Sequence, residues 1–128
     1  MDQQSGVFRS LLVLYMCISL VFTPFLMSGG GLFAQEVDLE KTLKQAEEKY
    51  TEGRFDETIA LITVCLGQPT ITPEQKQQAY RLMGLTYIAK DYLTEAKTAI
   101  ESLLQLVPNY KPDPIYDPPP FINLVEEV

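Results

Sequence analysis

The chain has 128 residues, a net charge of −7 and no histidine, and its pI is near 4.5. A chain this acidic, with no basic patch, is repelled by nucleic acid and by anionic lipid surfaces, which excludes a nucleic-acid-binding class. Without histidine, and with Cys17 and Cys65 as its two cysteines, it lacks the common zinc ligand sets and cannot staple a small secreted fold, so stability must come from helix packing.

Residues 1–34 read as a segment apart from the folded body. Arg9 precedes an apolar run from Leu11 to Met27, Ser28 and three glycines break it, and Leu32-Phe33-Ala34 offers a cleavage site before Gln35. These are the parts of a secretory signal peptide. The alternative is an uncleaved anchor, because the apolar run is at the short end of a bilayer span and Pro24 would kink it. Cys17 sits mid-run without the small residues that precede a lipidated cysteine, and is read as filler. Either way the body is expected outside the cytoplasm: periplasmic or secreted if cleaved near Ala34, membrane-anchored through residues 11–27 if not. Asp2 and Arg9 cancel, so the body keeps the whole −7; at about 95 residues it is large enough for one small domain.

Asp38 is placed to cap a first helix whose face is Leu39, Leu43, Ala46 and Tyr50, at steps of 4, 3 and 4. Gly53 suits a left-handed stop. Phe55, Ile59, Ile62 and Leu66, with Leu61 and Cys65, form a second helix that Gly67 ends. Helices this short, joined by a tight turn, are expected to lie antiparallel and to depend on each other. After the loop "GQPTIT", Thr72, Pro73 and Gln75 spell a capping box with proline in the first turn. The third helix carries Ala79, Leu82, Met83 and Ile88, flanked by Tyr80 and Tyr87, with Gly84 inside it. An interior glycine costs about 1 kcal/mol relative to alanine, so it predicts close approach of another helix, with Ala96 as the facing small residue. Asp91 is placed to cap a return helix with the stripe Leu93, Ala96, Ala99, Ile100, Leu103 and Leu104, which Leu106 and Val107 close and Pro108 stops.

Tyr80, Met83, Gly84, Tyr87, Leu93, Ala96, Ile100, Leu103 and Pro108 fall at the spacing of a tetratricopeptide repeat, and the segment resembles that family. It departs from the pattern in Asp91 for the usual turn glycine, Leu93 for an aromatic and Leu103 for alanine. The first pair resembles the same template less closely: Ala46, Gly53, Phe55, Ile62 and Cys65 take matching positions, and Thr58 replaces a small residue. Together the resemblance spans about residues 38–108. It implies an all-α fold of two antiparallel helix-turn-helix repeats, with Ala46, Gly53, Phe55, Tyr80, Gly84, Tyr87, Ala96 and Pro108 in repeat packing.

The resemblance also implies a binding scaffold whose groove is lined by Glu40, Leu43, Glu47, Tyr50 and Thr51 from the first repeat and Gln78, Arg81, Leu85, Ile88 and Ala89 from the second. The partner-binding candidates are Leu43, Glu47, Tyr50, Arg81, Leu85 and Ile88. Family members that bind a C-terminal carboxylate use Lys, Arg and Asn in the groove. Arg81 alone does not reproduce that set, so the activity is not transferred. The bland alternative is that Glu40, Glu47 and Arg81 are solvated surface charges. Leu85, Ile88 and Ala89 on a water-facing side imply a cover, either the chain's own tail or a second copy, since two repeats fall below the three or so needed for a stable stack.

The tail, residues 109–128, begins beyond the first of six prolines between Pro108 and Pro120. Residues 109–117 are expected to be extended and stiff. Asp117 is expected to cap a short helix with Pro118 at its first position and Phe121, Leu124 and Val125 on one face, a cap over the end of the stack. Adjacent carboxylates at Glu47-Glu48, Asp56-Glu57 and Glu126-Glu127 diverge on a helix and read as solvated; no catalytic constellation, metal site or cofactor is expected. The domain reading is therefore 1–34 signal or anchor, 35–108 repeat domain and 109–128 proline-rich linker with a capping helix. The function expected is an exported interaction scaffold for a protein or peptide, with self-association open. The alternative is a membrane-tethered structural or assembly subunit of an envelope complex, with the chain open to being a fragment of a larger multidomain protein.

Overall fold

The computed structural model describes residues 37–128, and the signal or anchor reading of residues 1–34 lies outside them. The described residues form five helices and no strand: α1 (Leu39–Thr51), α2 (Phe55–Leu66), α3 (Pro73–Ala89), α4 (Leu93–Leu106) and α5 (Pro119–Glu127). Among the described residues, no helix is long and apolar enough to cross a membrane. The described residues are all-α.

Each boundary has a local cause. Asp38 Oδ1 accepts from the Lys41 amide at 3.1 Å and starts α1. At the start of α3 the Gln75 amide donates to Thr72 Oγ1 at 3.2 Å, the Thr72 amide donates to Gln75 Oε1 at 3.0 Å, and Pro73 takes the first turn, which satisfies amides a helix start would leave without partners. The turns after α1 and α3 are the same turn made twice. Gly53 has φ +75° and Asp91, 38 residues on, has φ +62°. The Gly53 and Asp91 amides donate to Tyr50 and Ile88 carbonyls, both at 3.0 Å, while the Arg54 and Tyr92 amides reach back to Lys49 and Tyr87 at 2.8 and 2.9 Å. This is the left-handed helix stop. Asp91 therefore fills the glycine position of the turn and does not cap α4. The N-cap of α4 is Tyr92, with no side-chain cap bond.

Helix α1 packs on α2, α3 on both, α4 on α3, and α5 on α3 and α4. The first core joins Leu39, Leu43, Ala46, Ile62, Cys65, Ala79 and Leu82. The second joins Leu85, Ile100, Leu103 and Phe121. The two cores share a plan: Ala46, Ile62 and Cys65 recur 38 residues later as Gly84, Ile100 and Leu103. Ala79 and Leu82 of α3 fill the first cleft and Phe121 of α5 fills the second. Thr58 and Ala96, also 38 apart, are both fully buried; the extra hydroxyl of Thr58 donates to the Arg54 carbonyl at 3.0 Å, so it carries no unmet polar group.

Several expectations are corrected. A Cβ on Gly84 would lie 3.3 Å from both Ile100 Cγ1 and Phe121 Cε2, so the nearest groups the glycine makes room for are Ile100 and the tail. Leu93 and Leu106, the first and last residues of α4, are exposed and do not join its buried stripe. Asp117 does not cap α5, whose N-cap is Pro118. Residues 113–117 are not extended; they close a turn in which the Tyr116 and Asp117 amides both donate to the Asp113 carbonyl, at 3.2 and 2.7 Å. An acidic side chain at each end of that turn competes successfully with proline stiffness.

Candidate functional site

Helices α1 and α3 present neighbouring faces to water. Between them lies an open depression of about 450 Å³ lined by Glu40, Leu43, Lys44, Glu47, Gln75 and Gln78. Leu43 is buried in the first core and forms the floor of the depression, where the groove reading places it, but it offers little free apolar surface to a partner. Glu47 is exposed and accepts from Gln78 Nε2 at 3.3 Å across the depression. Lys44, and Gln75, which the sequence marks only for its capping box, complete the rim. The signal for Lys44 was available: it follows Glu40 by four residues, one turn along the same face.

The second half of the expected groove is covered by the tail. Leu85 is buried against Phe121, Ile100 and Leu103, so it is not free for a partner, and the cover expected over it is the chain's own tail. Ile88 is half-buried, and Tyr110, Leu124 and Val125 pack against the same cluster. Ala89 stays exposed. Glu47 and Leu85 are 38 residues apart, and the polarity of each matches its surroundings: the exposed one is charged and the covered one apolar. Tyr50 is half-buried and packs against both cores, with its ring tilted against Phe55 at 5.8 Å.

Arg81 joins the two halves. Its guanidinium pairs with Asp117, whose side chain is 1% exposed against 31% for Arg81. The other oxygen of Asp117 accepts from the Asp113 amide at 2.8 Å, and Asp113 Oδ1 accepts from the Ile115 amide at 2.8 Å. A buried carboxylate is costly unless it is paired and hydrogen-bonded, and Asp117 is both. Its role is not readable in the sequence because the pair spans 36 residues; the available hint was a lone acid between Tyr116 and three prolines. Beside the pair, burial pushes the Tyr110 hydroxyl above its ordinary range, the Asp117 charge adds to this, and Arg81 opposes it.

The remaining predicted packing residues have varied surroundings. Ala46 and Ala96 are fully buried. A Cβ placed on Gly53 would meet nothing within 4 Å, so only its backbone angle matters. Phe55 borders a shallow hollow with Gly53, Arg54, Asp56, Glu57 and Lys90, where Lys90 pairs with Asp56 and ties the two hairpins. Tyr80 and Tyr87 line a second hollow of about 230 Å³ with Met83, Thr98 and Ala99, and Pro108 is exposed just beyond α4. The adjacent carboxylates Glu47-Glu48, Asp56-Glu57 and Glu126-Glu127 are all exposed. No protein-family model, no curated protein and no solved structure matches the chain.

Proposed function

We propose that the protein is an interaction scaffold of the tetratricopeptide type, built from two helical repeats and a capping helix, which binds an extended segment of a protein partner along the open face of α1 and α3. The observation that carries this reading is the 38-residue equivalence: the same left-handed turn at Gly53 and Asp91, and the same cleft residues in Ala46, Ile62, Cys65 and in Gly84, Ile100, Leu103. Repeats of this kind present first helices on one side as a continuous binding face. The depression between Glu40, Lys44, Glu47, Gln75 and Gln78 is polar at its rim, so it suits a peptide backbone, whose donors and acceptors the two glutamine amides can satisfy. Location outside the cytoplasm is part of the proposal and rests on the sequence of residues 1–34.

A photo-crosslinking residue at Gln78 tests the binding face in the native compartment, with the same residue at exposed Glu101 of α4 as control. One defined adduct from position 78, absent from position 101 and lost when Lys44→Glu reverses the rim charge, is expected. Equal labelling from both positions would remove the groove from the account.

A further inference from the structure

The second cleft is filled differently from the first. In the first, Ala79 and Leu82 arrive on α3, a 17-residue helix integral to the stack. In the second, Phe121 arrives on α5, which has nine residues, one buried side chain and no side-chain cap at its start. A helix of that length has little stability of its own in water; the cleft holds it. No backbone hydrogen bond from Asn109 through Pro118 reaches α1, α2 or α3. The tail is secured by Phe121 and by Tyr110, which stacks edge-on against it at 6.5 Å and packs on the same core, by Arg81 with Asp117, and at the rim by Lys97 and Glu127 at 3.1 Å.

We propose that the cleft between α3 and α4 is a helix-binding site that α5 occupies as a built-in ligand, and that the partner it fits is a protein segment with an acidic residue, an aromatic residue four positions later, and an aliphatic pair three and four positions after that. The tail supplies the template: Asp117 meets Arg81, Phe121 fills the space kept by Gly84, and Leu124 and Val125 pack on the rim. Helix-in-groove recognition reads anchors at this spacing. A second copy's tail offers only the contacts α5 already makes, whereas an outside segment can add contacts to Gln78, three residues before Arg81 on α3. That choice of partner rests on the groove reading above; the helix-binding cleft does not.

The test uses the full chain and a labelled peptide of residues 112–128 as probe. A tethered tail competes at an effective concentration in the millimolar range, so the wild-type chain is expected to bind the peptide weakly. Asp117→Asn, which loosens the tail and leaves the cleft intact, is expected to raise affinity about tenfold or more. Leu124→Asp in the chain is a second variant with the same expectation, and circular dichroism establishes that each stays folded. A peptide with Phe121→Ala is expected not to bind, and adding Arg81→Gln to the Asp117→Asn chain is expected to cancel the gain, because the peptide then loses the pair that the tail has already lost. Folded variants that bind no tighter than wild type overturn the proposal. A concentration-dependent dimer of the Asp117→Asn chain that excludes the peptide overturns the outside partner in favour of a second copy. Lys44→Glu leaves peptide binding unchanged whether or not the open groove is a binding face, so the two readings fail separately.

Discussion

Gly53 and Asp91 occupy the same turn at φ +75° and +62°, yet one residue type suits that angle and the other tolerates it. A left-handed angle costs an ordinary L residue about 1–2 kcal/mol, and Asp less than most because its short side chain bonds locally. Gly53 has open space around it, so substitution there isolates the effect of the backbone angle. Gly53→Ala is expected to lower stability by about 1 kcal/mol, and Asp91→Gly to raise it by a few tenths or more, since glycine relieves strain but gives the unfolded chain more freedom. Urea titration of both variants reads the signs; a stabilising Gly53→Ala would show that the turn can relax into another form. The same pair shows what a sequence yields at this scale. Gly53 is legible as a helix stop because glycine is the residue the angle prefers. Asp91 carries two readings, a cap from its residue type and the turn glycine's place from its spacing, because aspartate serves both purposes, and the backbone angle decides for the second.

Helix α3 is legible from its first residue because a capping box is local: Thr72, Pro73 and Gln75 lie within four positions and need nothing from the rest of the chain. The tail is legible only in part. The helical face of Phe121, Leu124 and Val125 follows from spacing, but the turn at Asp113–Asp117 exists because Asp117 is buried against Arg81 on another helix, a contact that no local pattern records. Tyr110 makes the tail's attachment measurable. Its hydroxyl is held above the ordinary range first by burial, then by the Asp117 charge. A group with a raised folded-state pKa contributes stability that is complete below its unfolded value, near 10, and is lost as pH rises through the folded value. The tail is therefore expected to loosen above about pH 10, seen as rising accessibility of Phe121 to hydrophobic dye or faster cleavage near Lys111. Tyr110→Phe should remove that alkaline step while leaving neutral-pH stability nearly unchanged; an identical alkaline profile in the variant would assign the step to another group.

Two cores make the described fold, one around Ile62 and Cys65 and one around Ile100 and Phe121, and a chain of two small cores unfolds as one unit only if something couples them. Helix α3 does so by contributing Ala79 and Leu82 to the first core and Leu85 to the second. Tyr50 does so by packing against both, backed by Phe55, and half-buried Lys90 adds a pair with exposed Asp56, where water on the carboxylate side keeps the contribution small. Tyr50 is legible in the sequence as the end of the α1 apolar face, but not as the bridge, because the second core includes a tail residue more than seventy positions away. If coupling runs through Tyr50, its removal should do more than subtract buried area. Tyr50→Ala is expected to cost about 2 kcal/mol, below the range for a fully buried aromatic, and also to lower the urea m-value, because the halves then open at different denaturant concentrations. Hydrogen exchange locates the split: amides of α1 and α2 and those of α4 should share one opening free energy in the wild-type protein and separate in the variant. A fall in stability with the m-value unchanged would mean that the backbone of α3 alone carries the coupling.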